Sequence, residues 1–315
     1  MTESKAQWVQ HALTINKACK GAGTDEKAII DVIASCTPDD CAGVARAYYC
    51  CFGKDVVKLL QKETSGTFDK FLTACFTKRY TLWVSLLKEA VKGLGTDEKA
   101  LCELLIMGDA DDMEILQKEY FRLYKKEMVE EIGDDISNKA AWAKLIKGWM
   151  YQTRYARNQI SQDVDILKQA IKGAGTDEQS IIRILTTSTP AEFGQIAAAY
   201  EQNTGKPLRD HLKKEFSGKS EYAFLLAHDY LLSASKAAAY AIHNAMKGAG
   251  TREKTIINYT ASSETGALTS TPTMPSTVLS PRTSRETSPA TWKRHYWPSG
   301  RPSDDFTHSL KNTYI

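Results

Sequence analysis

The chain has 315 residues, 42% of them hydrophobic and 25% charged, with a formal net charge of +3. That charge is too small to argue for a nucleic-acid partner, and none is expected; it does not oppose docking on an anionic surface. No window holds 18 consecutive apolar residues, which excludes a predicted transmembrane helix, and Met1–Lys5 shows neither an apolar signal core nor Gly at position 2 for myristoylation.

In chain order, Trp8, Val9, Ala12, Leu13, Ile15 and Ala18 recur at helical spacing and predict a first helix over 5–19. The string Lys20-Gly-Ala-Gly-Thr-Asp-Glu26 breaks it. Thr24 is the expected N-cap of a second helix, with Asp25 and Glu26 as acids in its first turn. Thr37-Pro38-Asp39 predicts the start of a third helix, which runs to Gly53. Asp55–Lys62 and Phe68–Phe76 complete a unit of five. Cys50 and Cys51 lie in a Tyr- and Phe-rich helical run and read as core filling. All seven cysteines fall between Cys19 and Cys102 without a CxxC pair, as expected of free thiols in a reducing cytosol.

The glycine string returns as Lys92–Glu98, as Lys172–Glu178 and, with Arg252 in place of Asp, as Lys247–Glu253. The threonines are 72, 80 and 75 residues apart, so four copies of one helical unit are expected. The longer middle interval is accommodated by the polar stretch Arg154–Asp163, read as a linker between two halves. The fold class is all-α. Predicted boundaries are 1–80, 81–157, 158–233 and a partial fourth unit, 234–263. Six of the nine prolines lie beyond Ser263, in a Ser/Thr/Pro-rich segment, 264–315, that is expected to be disordered. The change falls abruptly inside a repeat, as a shifted reading frame would produce.

Two glycines one residue apart let the backbone take conformations closed to other residues, so several carbonyl oxygens can face outward together. Clustered hard oxygens suit Ca2+, provided that a carboxylate joins them. Thirty-nine residues after Thr24, Thr96 and Thr176 stand Glu63, Asp135 and Glu215. Acids make up 38 of 315 residues, so three such hits arise by chance with a probability of roughly 0.002. A bare helix–turn–helix connection would account for the glycines but not for these acids. Each acid precedes Ser and then Gly or Asn. From Thr251 the same offset lands on Ala290, so the fourth site is expected to be weak or lost.

The paired motif resembles that of the annexin family, over about residues 5–263. The resemblance implies four five-helix repeats in a curved disc with calcium loops on the convex face. It also implies carbonyl ligands from both glycines and from the residue two before the first. These are Cys19, Gly21 and Gly23 with Glu63; Val91, Gly93 and Gly95 with Asp135; and Ile171, Gly173 and Gly175 with Glu215. Met246, Gly248 and Gly250 would be a half-site. Family sites complete the Ca2+ shell with water and lipid phosphate oxygens, so the ion bridges protein and membrane. Leu94 and the lysines Lys20, Lys92, Lys172 and Lys247 are candidates for lipid contact, against the plainer reading as ordinary surface residues. The Ser-Arg pair that many annexins carry after the second helix is replaced by Ser35-Cys36, Met107-Gly108 and Thr187-Ser188. That departure suggests a divergent branch, similar to the protozoan α-giardins.

No enzyme is expected. The string is not GxGxxG, since Glu26 stands at the third glycine, and neither GxxxxGK[ST] nor HExxH occurs. Asp109-Ala-Asp111-Asp112 starts like an EF-hand loop but lacks its glycine. His11, His211, His228, His243, His295 and His308 show no ligand spacing, and nothing in the sequence positions a Cys beside a His. The implied function is calcium-dependent peripheral binding to anionic phospholipid by a cytoplasmic protein that can self-associate on membranes. The alternative is a structural scaffold with a cytoskeletal protein partner, for which Ca2+ is secondary.

Overall fold

The computed structural model describes residues 3–21, 23–93, 95–136, 139–172, 175–247 and 251–262. Among them every regular element is an α-helix. The first repeat contains α1 (Glu3–Ala18), α2 (Glu26–Ala34), α3 (Pro38–Phe52), α4 (Val56–Glu63) and α5 (Gly66–Phe76). The second contains α6 (Arg79–Ala90), α7 (Glu98–Ile106), α8 (Ala110–Tyr124), α9 (Met128–Asp135) and α10 (Ala141–Met150). The third contains α11 (Ile160–Lys172), α12 (Glu178–Thr187), α13 (Pro190–Thr204), α14 (Leu208–Glu215) and α15 (Gly218–Leu232). Only α16 (Ala234–Met246) and α17 (Glu253–Ser262) of the fourth are described; the Ser/Thr/Pro-rich segment, with Ala290, lies outside the described residues.

Equivalent helices begin and end by equivalent chemistry. Thr37, Asp109 and Thr189 cap α3, α8 and α13, each side-chain oxygen accepting from the backbone N–H three residues on. Asp109 and Asp112 form a reciprocal capping box, which explains the acidic run that looked like the start of an EF-hand loop. The same three helices end on a left-handed residue: Gly53 (φ 63°), Lys125 (φ 56°) and Gly205 (φ 71°). Lys125 holds this conformation without glycine's freedom.

Two apolar cores form. The smaller belongs to the first repeat, with Ile15, Ile29, Val44, Tyr48, Leu60 and Leu72 at its centre. The larger runs continuously through the other repeats, from Trp83 and Leu87 through Trp149 and Phe193 to Ile257 and Tyr259. Trp83, Trp142 and Trp149 are buried, and Trp8 is half-buried. Phe71 of α5 touches both cores, and α17 packs against α5, α6 and α7 across the join. Cys50 and Cys51 are exposed rather than core. Their helix turns Cys41, Val44 and Tyr48 inward, which leaves 50 and 51 on the opposite face.

The expected linker is helix-free from 152 to 159 but is bound closely to the third repeat. Arg154 donates to the carbonyls of Leu185 and Ser188 at 2.8 and 2.7 Å. Arg157 donates to Asp163 at 2.7 Å and to the Ser188 hydroxyl at 2.8 Å. The backbone N–H groups of Arg157 and Asn158 both donate to Glu192. The stretch therefore behaves as a strap.

Candidate metal centres

Each glycine string joins the first two helices of a repeat, and each acid ends the fourth. One backbone bond closes every string. The N–H of Asp25 donates to the Ala18 carbonyl at 2.9 Å, with the same bond from Asp97 to Ala90, Asp177 to Ala170 and Arg252 to Ala245. Closing seven residues this tightly forces the glycines to positive φ: Gly21 116°, Gly23 99°, Gly93 112°, Gly95 101° and Gly175 114°.

The N-cap is not Thr24. Asp25, Asp97 and Asp177 fill that role, accepting from the N–H groups of Ala28, Ala100 and Ser180. The threonines are thereby free to reach the acids. Thr24 Oγ1 donates to the Glu63 carbonyl at 3.1 Å, Thr176 Oγ1 to Glu215 Oε2 at 2.8 Å, and Thr96 Oγ1 to the Asp135 carboxylate. In all three repeats the hydroxyl ties the string to the residue 39 positions later. The sequence supplied the Thr–acid offset, but only the geometry shows its cause. Burial, and then the nearby Glu63 carboxylate, push the Cys19 thiol up to about 11, so Cys19 and Glu63 also stand within electrostatic reach.

The threonine bonds tie each string to Glu63, Asp135 or Glu215; of the other expected ligands, Cys19, Gly21, Gly23, Val91, Gly93, Gly95, Ile171 and Gly175 lie among the described residues. Gly173, Gly248 and Gly250 lie outside the described residues, as do Leu94, Ser137 and Asn138. The carbonyls of Cys19, Gly21, Gly23, Val91, Gly93 and Gly95 accept no hydrogen bond from other described residues. Among the described residues no three His, Cys, Asp or Glu side chains gather closely enough to hold a metal by themselves. A donor set of unpaired carbonyls with one carboxylate therefore fits a hard, oxygen-seeking cation such as Ca2+ and not a soft or imidazole-seeking one. Lys20, Lys92, Lys172 and Lys247 are all exposed beside the strings.

The fourth string differs at its cap. Arg252 has no acceptor to offer α17, and its guanidinium turns inward, 3.4 Å from Glu103 and 3.6 Å from Asp97. Glu103 is 1% exposed. It also accepts from Tyr222 at 2.9 Å, Thr255 at 3.0 Å and Asn258 at 2.8 Å. Burial raises its pKa, and Arg252 and these donors oppose the rise. Lys254 adds ion pairs to Asp97 at 3.2 Å and to Glu89 at 3.7 Å. Glu103 gave no signal in the sequence; it stands inside an apolar helix, Leu101 to Ile106, where an acid needs partners.

Fold and strings together define an all-helical repeat protein with a glycine string between the first two helices of each repeat. The Annexin family profile matches residues 10–75, 84–141 and 162–227, and the chain belongs to the annexin family. It is 31% identical to annexin E1 of Giardia intestinalis over 239 residues, covering 74% of this chain and 71% of that protein. It is 33% identical to the giardin subunit alpha-8 of the same organism over 190 residues, 60% of each. A calcium-bound structure of alpha-14 giardin superposes with a TM-score of 0.74 at 27% identity, covering 82% of this chain and 86% of that one. Chicken annexin V superposes with a TM-score of 0.71 at 26% identity, covering 81% and 82%. The Giardia relatives support the divergent protozoan branch that the missing Ser-Arg pairs suggested.

Proposed function

We propose that the chain binds anionic phospholipid membranes peripherally through Ca2+ held in its first three glycine strings. The observation that carries this reading is the threefold tie between string and acid, a threonine hydroxyl on Glu63, Asp135 or Glu215, beside carbonyls that in the first two strings accept no hydrogen bond from described residues. In each string the carbonyls and the one carboxylate would hold the ion, which supplies the positive charge that a lipid phosphate meets. Cys19, Gly21 and Gly23 would act with Glu63, Val91, Gly93 and Gly95 with Asp135, and Ile171, Gly173 and Gly175 with Glu215. The exposed lysines beside the strings add attraction to anionic headgroups, about 1 kcal/mol each near such a surface. Among the described residues no helix is long and apolar enough to cross a membrane, which suits attachment from one side. On this reading the protein is cytoplasmic until Ca2+ rises.

Co-sedimentation with phosphatidylserine vesicles across a Ca2+ titration tests it. Binding should appear with Ca2+ and reverse with EGTA; association that ignores EGTA would sink the proposal. Combining Glu63→Gln with Glu215→Gln should raise the Ca2+ needed for half-binding by at least about tenfold, the scale for losing even a supporting partner of a metal ligand. An unchanged titration would mean that these acids do not hold the ion.

A further inference from the structure

The second and third strings differ in what stands against them. Both carry a lysine on the glutamate that opens the following helix: Lys219 pairs with Glu98, and Lys144 with Glu178 at 2.9 Å. The aspartate one residue earlier separates them. Asp177 accepts from the N–H and the hydroxyl of Ser180, and among the described residues no cation forms an ion pair with it. Asp97 accepts from the Ala100 N–H, and two cations of the fourth repeat stand on its carboxylate, Lys254 at 3.2 Å and Arg252 at 3.6 Å.

Both cations are fixed by further acids. Arg252 lies 3.4 Å from buried Glu103, and Lys254 lies 3.7 Å from Glu89 in the last turn of α6. Lys254 thus bridges the helix that enters the second string to the cap of the helix that leaves it. Glu89 stands two residues before Val91, and Asp97 two residues after Gly95, both expected carbonyl ligands. Two residues separate Cα atoms by no more than about 7 Å. That is within one Debye length in physiological salt, about 8 Å, so charges placed there are only partly screened from an ion in the string.

We propose that Arg252 and Lys254 hold the Ca2+ affinity of the second string below what its own donors would give, and that Ca2+ in that string in turn loosens the hold of α17. The inference rests on the reading of the strings as Ca2+ sites. The two cations repel an incoming divalent ion, and they engage Asp97 and Glu89, acids that would otherwise attract it. Linkage makes the effect reciprocal: whatever the attachment of α17 costs the ion, the ion costs that attachment. The fourth repeat therefore tunes a string that is not its own.

The second string is isolated in the full chain by combining Glu63→Gln with Glu215→Gln, and its Ca2+ binding is read by equilibrium dialysis. Adding Lys254→Gln should tighten that binding by about fivefold or more, the low end of ordinary coupling between sites. Lys254→Glu should tighten it further, and Lys254→Arg, which keeps the charge, should leave it at the starting value. The gain should shrink as KCl is raised, because salt screens a charge effect. Hydrogen exchange on the same chain supplies the reciprocal reading: the amides of α17 should exchange faster with Ca2+ than without, and Lys254→Gln should reduce the difference. The proposal is overturned if Lys254→Gln leaves the affinity unchanged or weakens it, or if Lys254→Arg tightens it as much as Lys254→Gln. It is also overturned if Ca2+ protects α17, or if neither the starting chain nor Lys254→Glu binds Ca2+. Asp135→Asn on the same background tells the two failures apart. Binding that survives Asp135→Asn sinks the site reading, and this inference with it; binding that Asp135→Asn removes but Lys254→Gln leaves unaltered sinks this inference alone.

Discussion

Asp97 and Arg252 occupy the same position in the second and fourth repeats, and they do opposite things. Both close their string with the same backbone bond, to Ala90 and to Ala245. Asp97 caps α7 through the Ala100 N–H. Burial works against its charge, but that N–H and the cations Lys254 and Arg252 outweigh it and hold its carboxyl below the usual range. Arg252 gives up the cap and spends its charge on Glu103 and on Asp97 itself. One substitution thus converts a residue that serves its own loop into one that joins two repeats. The closing backbone bond survives the exchange, and the side chain at that position is free to be reassigned.

Three substitutions break or sharpen this contrast. Glu103→Ala should have the largest effect. It leaves Tyr222, Thr255, Asn258 and Arg252 without their common acceptor, and removing one partner from a buried charged network costs about 3–5 kcal/mol. Urea unfolding should show the midpoint fall, and a midpoint within error of wild type would mean that the network contributes nothing net. Next comes Arg252→Asp, which makes the fourth string match the others. The acid would regain a cap for α17 but stand against Asp97 and Glu103, so we expect a net loss of about 1–3 kcal/mol, the cost of unsatisfied charged partners. A stability gain would show that the cap outweighs the bridge. The smallest effect belongs to Thr176→Val, which removes the hydroxyl bond to Glu215 while the glycines keep their shape. Losing about 1 kcal/mol there should weaken Ca2+ binding at the third string several-fold, read by calorimetry, with little change in stability.

How much was legible beforehand follows from the range of each interaction. The all-α class, the helix-breaking strings and the helix start at Thr37 are local, written within a few residues, and they appear where the sequence put them. The Thr–acid offset is not local, yet repetition exposed it, because the same 39-residue interval recurs three times. Two things did not repeat and so stayed hidden. Glu103 is paired with residues 119 to 155 positions away, from α15 and α17, that no periodicity singles out. Cys36 meets His11 only because α1 packs against the α2–α3 corner, and a spacing of 25 residues carries no pattern. The cap was misassigned for a related reason. Thr and Asp are both good caps, and the choice between them goes with the distant acid, Glu63, Asp135 or Glu215, that takes the hydroxyl of Thr24, Thr96 or Thr176.

The placement of α17 has a consequence for how the chain comes to be built. The apolar core of the first repeat draws on residues 12 to 76, so all of its members have been synthesised before a quarter of the chain is made. Its attachment to the remainder waits far longer. The contact across the join includes Thr67 donating to Glu253 at 3.0 Å, a pairing of residues 186 positions apart. During synthesis, the first repeat must therefore stand with its α5 flank uncovered until α17 emerges, and every chain must close a very long loop late. The described part of the fourth repeat is in this sense a latch: its two helices fasten what was folded long before them.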